Sequence, residues 1–100
     1  MLRATKEEDM NIVSACKWLL SEIHRRDGMA KGEVKALIRR QFPEASYQER
    51  LLIRKRPHWN HMMLAHVVGG LNSDLQYRLT EYGIQCLSMD ERAFRKALVK

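Results

Sequence analysis

Arg50, Arg54, Lys55 and Arg56 place four cations within seven residues, directly before Pro57, and His58, Asn60, His61 and His66 follow within ten. Cations at that density suit the oxygens of a phosphate backbone. His58 and His61, three apart, could share a helical face, but a zinc site needs four ligands, or three and a water, and no neighbouring Cys or carboxylate completes the set. They read as polar surface or as contacts to nucleic acid, and no metal or other cofactor is expected. Cys16 with one of these histidines would be a nominal nucleophile and base. It sits, however, on the apolar stripe of Ile12, Leu19, Leu20 and Ile23, where burial makes a thiol structural. Gly69-Gly70 lacks the Lys and helix start of a phosphate loop, and the carboxylates are scattered apart from Glu7, Glu8 and Asp9. No catalytic constellation emerges, and the chain is read as a non-enzyme.

The formal charge of +6 is uneven. Residues 21–60 hold ten Lys or Arg against five Asp or Glu, a balance of +5, whereas residues 1–20 and 61–80 each balance at zero and the last twenty contribute +1. The positive field therefore belongs to the middle of the chain, in "HRR" (24–26), "IRR" (38–40) and "RLLIRKR" (50–56). Nucleic acid is the commonest partner of such a surface; a merely solvated face is the alternative. Arg25, Arg26, Arg39 and Arg40 fit phosphate contacts and cations at helix C-termini equally well.

One hundred residues fit one domain, 1–100, and 45% apolar with 30% charged residues is a globular composition. No stretch approaches the length of a membrane span, and "MLRATKEEDM" turns acidic where a signal peptide would turn apolar, so an intracellular, cytoplasmic protein is expected. Cys16 and Cys86 read as reduced core residues.

Thr5 and Glu8 have capping-box spacing before a first helix whose buried stripe runs from Ile12 to Ile23; Asp27-Gly28 closes it. A short extended link at Met29-Ala30 leads to a second helix from about Lys31 to Phe42, burying Val34, Leu37 and Ile38 and stopped by Pro43. Ser46 and Glu49 repeat the box, favouring a short helix, though periodicity does not decide between helix and strand for Leu51-Leu52-Ile53. Pro57 suits the first position of a further helix carrying Trp59, Met62, Met63, Ala65, Val67 and Val68 and ended by Gly69-Gly70. Trp18 and Trp59 lie among apolar positions and read as core or core-edge. Leu71 begins an extended piece, "NSD" turns, and Leu75, Tyr77 and Leu79 alternate as a half-buried strand. Thr80 opens a short helix, and a third box, Ser88 to Glu91, precedes a terminal helix with Ala93, Phe94, Ala97 and Leu98.

Helices followed by a hairpin that must rest on them make a mainly α fold with a small β-hairpin. "DGMAKGEVKALI" (27–38) resembles the turn and second helix of winged helix-turn-helix domains, and "GGLNSDLQYRLTEYG" (69–83) resembles their helix end, wing and closing segment. The resemblance spans roughly 12–87, and its nearest flavour is the N-terminal winged helix of Mrr-type restriction proteins. It implies a single winged-helix domain with an added C-terminal helix, and a DNA-binding regulator or accessory protein of the kind found in transcription control, phages and mobile elements.

In that family the last helix before the wing enters the major groove. Carried onto 58–68, this makes His58, Asn60, His61 and His66 the readers of double-stranded DNA, Arg39, Arg40, Arg54, Lys55 and Arg56 the phosphate clamps, and Arg78 the wing's cation. This helix has no Arg or Lys of its own, and Asp74 sits in the wing. The second departure counts against wing contact with the minor groove; the cation-free helix, with Met62 or Met63 exposed, favours the runner-up, a winged module for a protein partner, an adaptor or inhibitor of a nucleic-acid machine. Phe94 and Leu98 are either a homodimer surface or a cover for the chain's own core.

Overall fold

The computed structural model describes residues 12–59, 63–68 and 75–98. The architecture is mainly helical with a small three-stranded antiparallel sheet. In chain order it comprises α1 (Ile12–Arg25), β1 (Met29–Ala30), α2 (Lys31–Gln41), α3 (Tyr47–Trp59), β2 (Leu64–Val68), β3 (Leu75–Leu79), α4 (Glu81–Cys86) and α5 (Glu91–Leu98). No described helix is long and apolar enough to cross a membrane. Thr5 and Glu8 lie outside the described residues.

The apolar stripe of α1 puts Cys16, Leu19, Leu20 and Ile23 at the centre of one buried cluster, which also takes residues from every other helix and from the sheet. Asp27 (φ 57°) holds the left-handed position after α1 and Gly28 (φ 115°) follows, a conformation that side chains rarely adopt. The Gly28 N–H reaches the Ile23 carbonyl at 3.0 Å and the Asp27 N–H the His24 carbonyl at 3.1 Å, so the last carbonyls of α1 are satisfied as in a Schellman ending. Trp18 packs edge-on against Phe42 just beyond α2, a core-edge role as expected.

The predicted capping box of α3 is present: Ser46 Oγ accepts from the Glu49 N–H at 3.1 Å while Glu49 Oε1 accepts from the Ser46 N–H at 2.8 Å. The segment it starts is longer than expected. Tyr47–Trp59 is one helix, so Leu51-Leu52-Ile53 is helical and Pro57 falls in the last turn rather than at a helix start. Pro57 has no N–H for the Ile53 carbonyl four residues back. The Cys16 thiol of α1 donates to that carbonyl instead, at 3.7 Å, which ties α1 to α3 where the ladder is interrupted.

A helix over 58–68 is overturned: Leu64–Val68 is a strand, paired antiparallel with β3 in five registered pairs from Leu64↔Leu79 to Val68↔Leu75. The strand order is β1-β3-β2, with Met29 opposite Tyr77 on the other side. Val67 and Val68 suit a strand, and pairing with β3 outweighs the helical spacing of 59–68. Gly69-Gly70 and the extended piece and turn expected at 71–74 lie outside the described residues.

Thr80 caps α4 as expected, its Oγ accepting from the Gly83 N–H at 3.0 Å, and the Thr80 N–H donates to the Met63 carbonyl at 3.0 Å. The third box is displaced. Asp90, not Ser88, caps α5, with Oδ1 accepting from the Ala93 N–H at 2.8 Å, and the Ser88 hydroxyl turns back to the Gln85 carbonyl. Phe94 and Leu98 of α5 lie in the chain's own core, so they do not form the homodimer surface that was the other reading.

Gly83 packs directly on the backbone before β2: a Cβ there would run into the Met63 carbonyl oxygen. Gly83→Ala should therefore destabilise the protein by about 3 kcal/mol or more. Gly32, with nothing within 4 Å of its Cβ position on α2, should respond oppositely, Gly32→Ala adding about 0.4–1 kcal/mol. Urea denaturation of the two variants checks both signs.

Candidate nucleic-acid interface

Along α3, residues four apart form rows on one side of the helix. The row Ile53–Pro57 is buried in the core, and Arg50–Arg54 faces α2. Gln48, Leu52 and Lys55 share the face left open to solvent, while Tyr47, 67% exposed, and Leu51 border the side that faces α2. The cations of "RKR" (54–56), read as one clamp, thus diverge by about 100° per residue.

Arg54 points into the angle between α2 and α3. Its side chain is only 7% exposed, and Nη1 donates to the Tyr77 hydroxyl at 3.3 Å. It is therefore no outward clamp. Lys55 is half-buried at the edge of the open face. Arg56 is half-buried, and its charge acts on the Cys16 thiol of α1. Arg39 and Arg40 are exposed on the last turn of α2, where cations also complement the helix dipole.

A groove of about 110 Å³ runs between the two helices, lined by Lys35, Arg39, Arg50 and Arg54 over an apolar floor of Ile38 and Leu51, with Tyr47 at its mouth. None of these lining residues is acidic. Among the described residues no ion pair engages these four cations; the ion pairs present are those of Glu22 with Arg25 and Arg26 and of Asp27 with Arg78. Arg50 also donates to the Ala45 carbonyl at 2.6 Å, which fixes its stem beside α3's first turn.

The other expected site residues are dispersed. His58 is half-buried and packs edge-on against Tyr77, 5.5 Å between ring centres, at the join between α3 and β3. Arg78 is on the outer face of the sheet beside a separate hollow, and its charge is met by Asp27. Asn60, His61 and Met62 lie outside the described residues, as do the side chains of His66 and Trp59. Met63 is fully buried, which removes it as an exposed apolar contact for a protein partner. Among the described residues no cluster of His, Cys, Asp or Glu could hold a metal ion.

Sequence reasoning missed Lys35, Tyr47 and Gln48, and took Arg50 only as part of the run 50–56. The signal was present in the four-residue spacing of Tyr47, Leu51 and Lys55 and of Arg50 and Arg54, and it becomes readable only once 47–59 is taken as one helix. Compared with the models of known families, with curated proteins and with solved structures, the chain gives no match.

Cys16 is inert for nucleophilic chemistry. Burial pushes its thiol up from 9.0 to about 12, with the Arg56 charge pulling weakly the other way, and burial raises Cys86 as well. A thiol whose folded pKa lies above its unfolded value stays protonated in the fold while the unfolded chain releases the proton. Stability is therefore fully present below about pH 9 and falls as pH rises toward 12. The urea midpoint should drop between about pH 8 and pH 10.5, and Cys16→Ser, which keeps a donor for the Ile53 carbonyl, should flatten the drop. An unchanged slope in that variant would assign the pH dependence elsewhere.

Proposed function

We propose that the protein is a non-enzymatic, DNA-binding regulator or accessory factor that lays α3 in the major groove of double-stranded DNA through a winged helix-turn-helix. The order helix, short strand, helix, helix, hairpin, with the first strand completing the sheet beside the second strand of the hairpin, supports that fold. The last helix before the hairpin is then Tyr47–Trp59, not 58–68, and it carries cations of its own.

The observation that carries the reading is the α2–α3 groove: four cations from two helices converge there with no acidic residue among its lining, directly beside the open face of α3. Backbone phosphates supply the neutralising charge, and the open face meets the base edges. Gln48, exposed in the first turn of α3, is the residue placed to pair with adenine, as the N-terminal residues of a recognition helix commonly do. Lys35, Arg39 and Lys55 hold the backbone and set register without reading sequence.

Titration of labelled duplex DNA at several salt concentrations tests this. Affinity should fall linearly on a log–log plot, with a slope of about −0.9 per phosphate neutralised. Lys35→Ala, Arg39→Ala and Lys55→Ala should each weaken binding to all sequences and reduce the slope by about 1, whereas Gln48→Ala should narrow the gap between specific and random duplexes. No binding at about 50 mM salt would overturn the reading.

A further inference from the structure

Arg54 is the one buried charged residue among the described residues, and none of the described carboxylates neutralises it. It donates to the Tyr77 hydroxyl, a neutral acceptor, and no described carboxylate lies within ion-pairing distance. A buried Lys or His can shed its proton to escape such a site; a guanidinium cannot, because it stays charged at any pH a protein experiences. A buried charge without a counter-charge is strongly unfavourable. Arg54 also lines the α2–α3 groove, where Lys35, Arg39 and Arg50 add three more positive charges around it.

We infer that this groove is a seat for a single phosphate group, with Arg54 as its buried anchor and Lys35, Arg39 and Arg50 closing around the outer oxygens. The inference rests on the DNA-binding reading for its occupant, a backbone phosphodiester that enters between α2 and α3 as α3 docks. A space of about 110 Å³ has room for a few waters, at roughly 30 Å³ each, or one tetrahedral anion. Phosphate offers several oxygens to donors arriving from two helices, which a lone carboxylate does not. Tyr77 is the positioning residue: its ring is held in the core at the centre of the sheet, and its hydroxyl fixes the direction from which Arg54 meets the anion.

The test uses the full chain. The side-chain Nε–H signals of the arginines are followed by NMR during titration with inorganic phosphate, against chloride at equal ionic strength, and duplex affinity is measured in parallel for the wild type, Arg54→Met, Arg54→Lys and Arg39→Ala. Arg54 should give a saturable shift with phosphate. Arg54→Met should lose about tenfold or more in duplex affinity at fixed salt, more than Arg39→Ala, and Arg54→Lys should recover part of the loss. The wild-type titration needs no variant to fold. If the wild type binds duplex, phosphate leaves Arg54 unmoved and Arg54→Met binds as well as the wild type, the seat is overturned and the DNA reading stands. A phosphate shift at Arg54 without duplex binding would keep the anion seat and overturn DNA as its source. Saturation of the groove by polyglutamate but not by phosphate would assign it to an acidic protein segment and overturn both.

Discussion

The contact between the Tyr77 hydroxyl and the Arg54 guanidinium joins the two halves of the molecule. Tyr77 stands at the middle of β3, opposite Met29 of β1 on one side and His66 of β2 on the other, so it sits where the three strands meet. Its ring is 1% exposed and also meets His58 edge-on. A phenol at that depth requires a polar partner, and α3 supplies one. The position of the hairpin and the rotation of α3 about its own axis are therefore coupled. With Arg54 directed to Tyr77 and Ile53 and Pro57 into the core, Gln48, Leu52 and Lys55 face outward.

That rotation separates two kinds of chemistry that the sequence runs together. Arg54, Lys55 and Arg56 are adjacent in the chain, yet they serve the groove, the open face and the neighbourhood of Cys16 respectively. The groove gathers its charge across helices, Lys35 and Arg39 from α2 with Arg50 and Arg54 from α3. Its apolar floor, Ile38 and Leu51, continues into the packing that holds α2 against α3. The cationic groove and an open helical face thus lie side by side on one packed pair of helices.

Much of this was legible in the sequence where a single local signal decided the outcome. The alternation of Leu75, Tyr77 and Leu79, the stripe from Ile12 to Ile23, the Ser46–Glu49 box and the stop at Pro43 each depend on neighbours within a few residues. Leu64–Val68 was misread because its identity is decided by β3, and a run containing Leu64, Ala65, Val67 and Val68 is apolar at helical spacing as well as at strand spacing. Pro57 misled for a related reason. Proline favours the first turn of a helix when nothing compensates its missing N–H, but Cys16, forty-one positions earlier, supplies a donor to the Ile53 carbonyl and lets the helix run through. The cap of α5 moved from Ser88 to Asp90 because both residues cap well and their order in sequence does not rank them.

The site shares that dependence on distant partners, and so it was only half legible. Net charge located it within residues 21–60, but the four residues that line the groove come from positions 35, 39, 50 and 54, and only the packing of α2 on α3 brings them together. Four like charges around a narrow space repel one another, and in the free protein that repulsion opposes the packing that creates the groove. Relief comes from whatever negative charge enters. In the proposed reading, a polyanion is favoured through the ions it releases as much as through the contacts it makes, and the cations that repel one another in the empty groove are the ones that would select an anion able to reach the depth of Arg54.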